Sequence, residues 1–307
     1  MQRIAYTGDQ QERYTMKHLR KLLFVGAAAT LALGFHACER IRDTKETISS
    51  AEDFANSETE FASAFDISDD LNGRDPRLRS SAGSILPSGA VINWVDTSFT
   101  DGDGIEYSID FGPLGSSAPF GRLCGDGRFR AGVFTVTLDR RYTEIGATGN
   151  LRILDSDNYY SGDGITMTKI SGNIAITRKD VQKVIILLTD GRASRNGKTW
   201  QFSGTKEVEN TKPGSIGILG DEFKVTGSGS GVNKDGVAYT WNITQPLIKR
   251  IEIGCARTFI SGIISLVNSG GGTLSVDFDP DPDPAGPRCD RKARATINGK
   301  SFDFEVQ

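Results

Sequence analysis

Hydrophobic and polar residues alternate along most of the chain beyond Ile85, and turn-forming pairs such as Asn196-Gly197 separate the alternating segments. A period of two residues is typical of β-strands that bury one face. No long helical segment lies between these segments, so we expect neighbouring strands to pair antiparallel. The predicted strands are Ala90–Trp94, Glu106–Phe111, Gly132–Leu138, Gly149–Leu154, Thr166–Ile176, Val181–Thr189, Lys198–Thr205, Phe223–Ser228, Val237–Thr244, Ile260–Val267, Thr273–Phe278, Ala293–Ile297 and Ser301–Val306.

A helical period precedes the strands. From about Ile48 to Phe65, apolar residues recur every three to four positions, and polar turn residues from Asp69 to Pro76 end the pattern. We predict a short amphipathic helix that packs one face on the β domain; the alternative is a helix that docks a partner. A flat sheet of so many strands would expose two edges. The predicted fold is therefore all-β: an extended antiparallel sheet, curled or packed as a sandwich, with one short N-terminal helix.

The C-terminal hairpin has the most specific local pattern. Asn298-Gly299 is a strong signal for a two-residue type I′ turn. This turn fixes the register and puts Ala293, Ala295, Phe302 and Phe304 on the buried face. The pairs expected on the solvent face are Lys292 with Glu305, Arg294 with Asp303, and Thr296 with Ser301.

The segment before the helix has the pattern of a lipoprotein export signal. Basic residues follow Met16, an apolar run extends over Leu22–Leu33, and Ala37 stands before Cys38. This order is typical of a secretory signal peptide, and the apolar run is shorter than the roughly 20 residues of a spanning helix. We predict lipidation of Cys38 and an anchor in the outer membrane, with either leaflet open and ordinary secretion as the alternative.

These patterns divide the chain into four parts. They are an over-extended start (1–15), a signal peptide (16–37), a tether with the short helix and a linker (38–84), and the β domain (85–307).

A weak repeat inside the β domain suggests a further division. Tyr107–Phe111 and Leu274–Phe278 both end in Asp-Phe, and each precedes a cysteine by an irregular loop. We therefore hold open two related halves, residues 85–190 and 191–307, against a chance similarity in one domain.

Charge and histidine content exclude several classes of function. The chain has 36 basic and 39 acidic residues, and removal of the signal takes away five and two of them, which leaves a net charge of −6. A mildly acidic chain without basic clusters argues against nucleic acid as a partner. Both histidines, His18 and His36, lie in the signal. The exported chain therefore has none for Ser-His-Asp or Cys-His catalysis or for a His-ligated metal site.

The cysteines allow a disulfide. Export makes such a bond permissible, and with Cys38 acylated three cysteines remain, an odd number. We predict a disulfide between Cys255 and Cys289; a pairing with Cys124, or no bridge, stays open.

Three short motifs, together with Cys38 and a short acidic helix, resemble a known group. They are Cys-Gly-Asp-Gly-Arg-Phe-Arg-Ala-Gly at 124–132, the Gly-Ser repeat at 227–236, and the ending Cys289-Asp290 with Ala295–Gly299. This pattern is similar to a recurrent group of β-rich lipoproteins from Bacteroidota, over most of residues 38–307. The resemblance implies an envelope lipoprotein. It implies no activity and no site residues, because the group has no established activity.

Two candidate sites follow from composition. Asp279, Asp281 and Asp283 alternate with prolines, and clustered carboxylates suit Ca²⁺, but the segment does not fit an EF-hand loop. We expect no cofactor and keep an improvised calcium site there as a hypothesis; a solvated loop is the alternative. Tyr159 and Tyr160 follow a polar turn and are the expected exposed pair for stacking on a sugar ring or peptide.

The remaining aromatic and acidic candidates are assigned no binding site. Trp241 is expected in the core because it shares a face with Tyr239 and Ile243, and Asp101 and Asp103 are expected in a turn. A glycosidase needs two carboxylates at a defined separation, which no sequence shows. The aspartates considered for such a pair are Asp126, Asp139, Asp155, Asp157, Asp163 and Asp190.

Three hypotheses for function remain. The first is a membrane-anchored envelope lipoprotein that acts as a non-enzymatic scaffold and binds a glycan or protein ligand. The second is a structural, fimbria-like subunit that assembles by strand pairing. The third is a carboxylate-dependent glycan hydrolase.

Overall fold

The fold combines one long helix with sixteen strands among the residues described. The computed structural model describes residues 47–72, 85–213, 220–251, 259–283, 289, 292–297 and 299–305. Helix α1 covers residues 47–72, and a short 3-10 helix covers Asp155–Asp157. The strands are β1 (Val91–Asp96), β2 (Ile105–Asp110), β3 (Arg122–Leu123), β4 (Phe129–Ala131), β5 (Val133–Leu138), β6 (Thr148–Ile153), β7 (Tyr160–Gly162), β8 (Met167–Arg178), β9 (Lys183–Arg195), β10 (Lys198–Lys212), β11 (Glu222–Val232), β12 (Ala238–Arg250), β13 (Phe259–Asn268), β14 (Thr273–Asp277), β15 (Lys292–Ile297) and β16 (Lys300–Glu305).

The strands form one open antiparallel sheet, so the all-β prediction is confirmed. The sheet follows the chain as a meander from β1 to β16, apart from a branch of β3, β4 and β7. Strand β8 pairs with β7 along its first residues and with β6 along its later ones. The boundary between the two predicted halves falls inside β9, which pairs with both neighbours across it. The duplication itself stays a prediction.

Local periodicity predicted the strands well. All thirteen predicted segments are strands, and the three that the analysis missed, β3, β4 and β7, have only two or three residues each. The register predicted for the C-terminal hairpin is confirmed pair by pair, and Arg294 Nε lies 2.6 Å from Asp303 Oδ1.

Helix α1 differs from the predicted short amphipathic helix. It extends through Asn72, and all but five of its residues are buried, although many of them are polar. The sheet curls around it, and hydrogen bonds reach it from strands that lie far apart in the sheet. Tyr107 of β2 donates to Asn72 at 2.6 Å, and Trp200 of β10 donates to Ser57 at 2.8 Å. The predicted packing of the helix on the β domain is confirmed, but burial extends beyond the amphipathic stripe because the partners of the polar residues come from distant strands.

A row of glycines lets aromatic rings lie flat on the inner face of the sheet. Gly204, Gly229 and Trp241 are directly opposite one another on β10, β11 and β12. A Cβ atom on Gly204 would lie 2.3 Å from Cζ2 of Trp241. The Trp241 ring stacks on Phe202 at 5.3 Å and meets Phe54 of α1 at 5.2 Å. This confirms the core position predicted for Trp241 and explains the alternation of glycine and serine in β11.

The export signal and the lipidation site lie outside the described residues. In the part of the chain that the structure describes, no helix is long and apolar enough to cross a membrane.

Candidate functional site

Helix α1 is held in the sheet by buried ion pairs. Lys206 Nζ of β10 lies 2.5 Å from Glu58 Oε1, and both side chains are buried. Arg128, which directly precedes β4, donates to Glu60 and to the hydroxyl of Ser161. Removal of one partner from such a pair would leave an uncompensated buried charge, so the pairs fix the position of the helix. Further pairs join Asp66 to Lys249, Asp69 to Arg178, and Asp53 to Lys234.

The motif at 124–132 supplies part of this network. Asp126 accepts the backbone N–H of Arg128, and its carboxylate lies 2.5 Å from the guanidinium of Arg130. Arg130 also donates to Ser63 of α1. Burial is the largest single effect and would raise the pKa of Asp126, but the charges and hydrogen bonds of Arg130 and Arg128 together outweigh it and hold that pKa below its usual value. The motif is therefore structural: two buried arginines bind the helix.

For three carboxyl groups of α1 the effect of burial prevails, so their pKa values are raised. Burial raises the pKa of Asp53 to about 6 against the opposing hydrogen bond and charge of Lys234. It also raises the pKa of Asp69 to about 6, although Tyr142 donates to this carboxyl at 2.6 Å. The pKa of Asp66 is raised for the same reason, despite its pair with Lys249. Burying these carboxyl groups in their charged form costs free energy.

Among the described residues, helix α1 occupies much of the space on the inner face of the sheet. The space between α1 and the sheet, lined by Phe61, Phe65, Ile186 and Val208, measures about 30 Å³. A cavity of this size holds about one water molecule. The helix therefore occupies the position where a curled sheet would otherwise take a ligand.

Tyr159 is not the exposed aromatic residue that the sequence predicted. Its side chain is fully buried and packs against Phe111 and Phe134 at 5.8 and 5.3 Å. The polar turn before it misled the prediction, because the chain turns inward at Asn158, whose φ is 48°. Tyr160 is half-buried and lies directly opposite Lys169 in the β7–β8 ladder.

The structure does not bring Asp279, Asp281 and Asp283 together as a preformed calcium site. Their carboxylate oxygens do not all lie within 4.8 Å of one another, and Asp281 pairs with Arg294 at 3.3 Å. The calcium hypothesis stays a prediction without preformed geometry.

Another acidic group does converge within the described residues. Asp96, Asp101 and Asp103 meet in the turn after β1. A hydrogen bond shared with Asp101 raises the pKa of Asp103. Exposed carboxylates of this kind are common in turns, so we assign no site to them.

The cysteines divide into a free and a bonded residue. Cys124 is free and buried, and burial raises the pKa of its thiol. Cys289 forms a disulfide. Cys38 and Cys255 lie outside the described residues, so the pairing of Cys255 with Cys289 stays a prediction.

The outer face of the sheet carries an open groove of about 790 Å³ over β6, β8 and β9. Three cations line it, and Lys169 Nζ pairs with Asp155 Oδ1 at 3.1 Å. Among the described residues, the side chains of Arg152 and Arg192 have no ion-pair or hydrogen-bond partner. With Asp190 as the second carboxylate, the groove carries one net positive charge.

A β-bulge shapes the floor of the groove. Strand β9 has one more residue than β8 between the pairs Ser171–Arg192 and Asn173–Thr189. The extra residue, Asp190, has a φ of 53° and is exposed beside Thr189. Positive φ is uncommon for residues other than glycine, and bulges often redirect a side chain at functional sites. The bulge therefore directs a carboxylate into the groove from a central strand.

The groove continues into a second depression of about 470 Å³ over β10 to β13. Gln201, which lines this depression, is directly opposite Arg192 of the groove. The depression carries no charge and is lined by polar side chains such as Ser203 and Thr240 together with apolar ones such as Val232 and Val267. The groove and the depression adjoin at the Gln201–Arg192 pair, and we call the two together the outer track.

Sequence reasoning missed the cations of the groove. They stand at outward positions of strands, where charged residues are usual, so nothing local singles them out. One signal was present. The alternation of β9 breaks at Thr189-Asp190, and the predicted strand ended there, whereas β9 continues to Arg195.

No protein-family model, curated protein or solved structure matches this chain. The resemblance to envelope lipoproteins therefore stays a prediction from its motifs.

Proposed function

We propose that this protein is a lipid-anchored scaffold of the cell envelope that binds a ligand on its outer track and catalyses no reaction. One observation carries the binding role. The inner face of the sheet is filled by α1, whereas the outer face has an open groove of about 790 Å³ with unpaired arginines. Ligand sites are commonly concave surfaces with a few convergent polar groups on a rigid frame.

The location rests on the N-terminal pattern. The basic stretch after Met16, the apolar run and Ala37-Cys38 support export and acylation. Metabolic labelling with a radioactive fatty acid tests this directly: the full-length protein should be labelled, and Cys38→Ala should not. Protease treatment of intact cells, with lysed cells as the control, then tells the outer face from the periplasm.

The binding role is tested by hydrogen–deuterium exchange of the full-length protein with polysaccharide and protein fractions of the envelope. We expect at least one fraction to slow exchange in β8 and β9. Protection restricted to β14–β16 would contradict the site. The absence of protection with every fraction would contradict the binding role.

One observation favours a hydrolase as the second candidate. Asp155 and Asp190 line the same groove, as a carboxylate pair would. Asp155, however, is paired with Lys169, which holds it in place as a structural partner. Release of reducing ends from envelope glycans, lost in both Asp155→Asn and Asp190→Asn, would establish the hydrolase and overturn the scaffold.

A further inference from the structure

The composition of the groove indicates which ligand it binds. Resting on the binding role proposed above, we propose that the ligand is an anionic polysaccharide, a glycan with carboxylate or sulfate groups. Arg152 and Arg192 bind the acidic groups, and Asp190 with the neighbouring hydroxyl and amide side chains binds the sugar hydroxyls.

The acidic groups are assigned to the two arginines. Each guanidinium offers five N–H donors in a planar fork that matches a carboxylate or sulfate. Lys169 is engaged by Asp155, whereas Arg152 and Arg192 are exposed and have no partner among the described residues. Arg152 lies on β6 and Arg192 on β9, two strand spacings apart, or roughly 10 Å. They therefore flank the groove and can bind separate acidic groups of one chain.

The sugar hydroxyls are assigned to Asp190 and its neighbours. An ionised carboxylate only accepts hydrogen bonds, and hydroxyl groups are suitable donors to it. Asn173 and Thr189, directly opposite each other, and Ser171, opposite Arg192, add donors and acceptors between the arginines. Tyr160 lies directly opposite Lys169 in the β7–β8 ladder and is half-buried.

The same carboxylate argues against an acidic peptide. An all-acidic chain would bring like charges to Asp190, which the bulge directs into the groove. A ligand with both acidic groups and hydroxyls fits the two arginines and this carboxylate.

The outer track is long enough for a polymer. The groove and the second depression extend from β6 to β13, six strand spacings or about 30 Å. The second depression is uncharged and has hydroxyl and amide side chains beside apolar ones, which suits the neutral part of a glycan chain beyond its acidic groups.

The test is a binding titration of the full-length protein with four polymers. Polygalacturonate presents carboxylates, dextran sulfate presents sulfates, unmodified dextran is the neutral glycan, and polyglutamate is the acidic peptide. We expect binding to one or both anionic glycans, weakening as salt rises, and no binding to dextran. The difference between the first two polymers tells which acidic group is recognised.

Variants distinguish the groove from a general charge effect. Arg152→Gln and Arg192→Gln should each weaken binding about tenfold or more, the size of a charge-assisted hydrogen bond. Arg141→Gln is the matched control, because Arg141 is exposed and lies outside the groove. It makes the same change of charge and should leave affinity within about twofold. Equal effects of all three variants would overturn the proposal.

Asp190→Asn separates the glycan from the peptide. A glycan that donates hydroxyls to Asp190 should bind more weakly to this variant, whereas an acidic peptide should bind more tightly because a like charge is lost. Tighter binding of polyglutamate than of either glycan would overturn the proposal. If no anionic glycan binds but an envelope fraction still protects β8 and β9, the ligand class is wrong and the binding role stands. If no anionic glycan binds and no envelope fraction protects β8 and β9, the ligand class and the binding role are both wrong.

Discussion

At the scale of single residues, the unusual feature is charge inside the fold. Glu58 and Lys206 are buried between α1 and β10, and Lys206 Nζ lies 2.5 Å from Glu58 Oε1. They form a close buried ion pair with mostly apolar side chains around it. Such pairs contribute little net stability compared with apolar residues of the same volume, but they penalise a misplaced helix.

This balance predicts the outcome of a double-mutant cycle. Lys206→Met should lower the free energy of unfolding by about 3–5 kcal/mol, because Glu58 is left charged and unpaired. Glu58→Leu combined with Lys206→Met should return the free energy of unfolding to the wild-type value or above. Urea denaturation of the single and the double variant measures both changes. A double variant as unstable as Lys206→Met alone would contradict the argument.

The matched control for that cycle is a pair on the surface. Lys183 lies 3.4 Å from Glu207 on the outer face, and both side chains are substantially exposed. Lys183→Met should therefore change the free energy of unfolding by less than about 1 kcal/mol.

At the scale of elements, periodicity predicted the strands because each strand has one buried face. The alternation in β15 and β16 was sufficient to give the register of their hairpin. Periodicity is insufficient where the outcome depends on distant partners. The length of α1 and the burial of its acidic residues follow from Arg128, just before β4, and from cations on β10 and β12. No local pattern contains that information.

The groove was only partly predictable for the same reason. Tyr160 was singled out and does lie beside the groove, whereas Tyr159 is in the core. Arg152 and Arg192 come together only through strand order and the bulge at Asp190. A break in alternation is the local sign of such a bulge, but it is also the sign of a strand end.

Gly229 of β11 lies directly opposite Trp241, and this contact allows a prediction whose control is the neighbouring residue. Gly229→Ala should lower the free energy of unfolding by about 1–3 kcal/mol, because strain follows when a core is overpacked. The new Cβ would lie 2.1 Å from the carbonyl oxygen of Ser203 and 2.7 Å from Cζ2 of Trp241. Ser228→Ala, on the exposed face, should change the free energy of unfolding by less than about 0.5 kcal/mol. Chemical denaturation of the two variants measures the difference, and equal effects would contradict the packing of Trp241.

At the scale of the whole molecule, the two faces of one sheet have separate roles. The inner face binds α1 through charges and aromatic rings, and the outer face stays polar and open. The sheet is open at β1 and β16, so the alternative of assembly by strand pairing stays a prediction. The stability of the whole fold depends on acidic groups that the helix buries.

Those acidic groups predict that the protein becomes more stable as pH falls from about 7 to about 5. The pKa values of Asp53 and Asp69 are about 6 in the folded state, above the ordinary value of 3.8, so the folded state takes up protons first. No histidine beyond residue 37 titrates in this window. The free energy of unfolding should rise by about 1 kcal/mol for each carboxyl group. Below about pH 4 the trend should reverse, because the carboxylates of the unfolded state protonate and Asp126, whose pKa is lowered, loses its charge in the folded state.

Urea denaturation across this range measures the curve of the free energy of unfolding against pH. Asp53→Asn with Asp69→Asn should flatten it between pH 7 and 5, and a fall in stability over that interval in the wild type would show that these carboxyl groups are not buried as described.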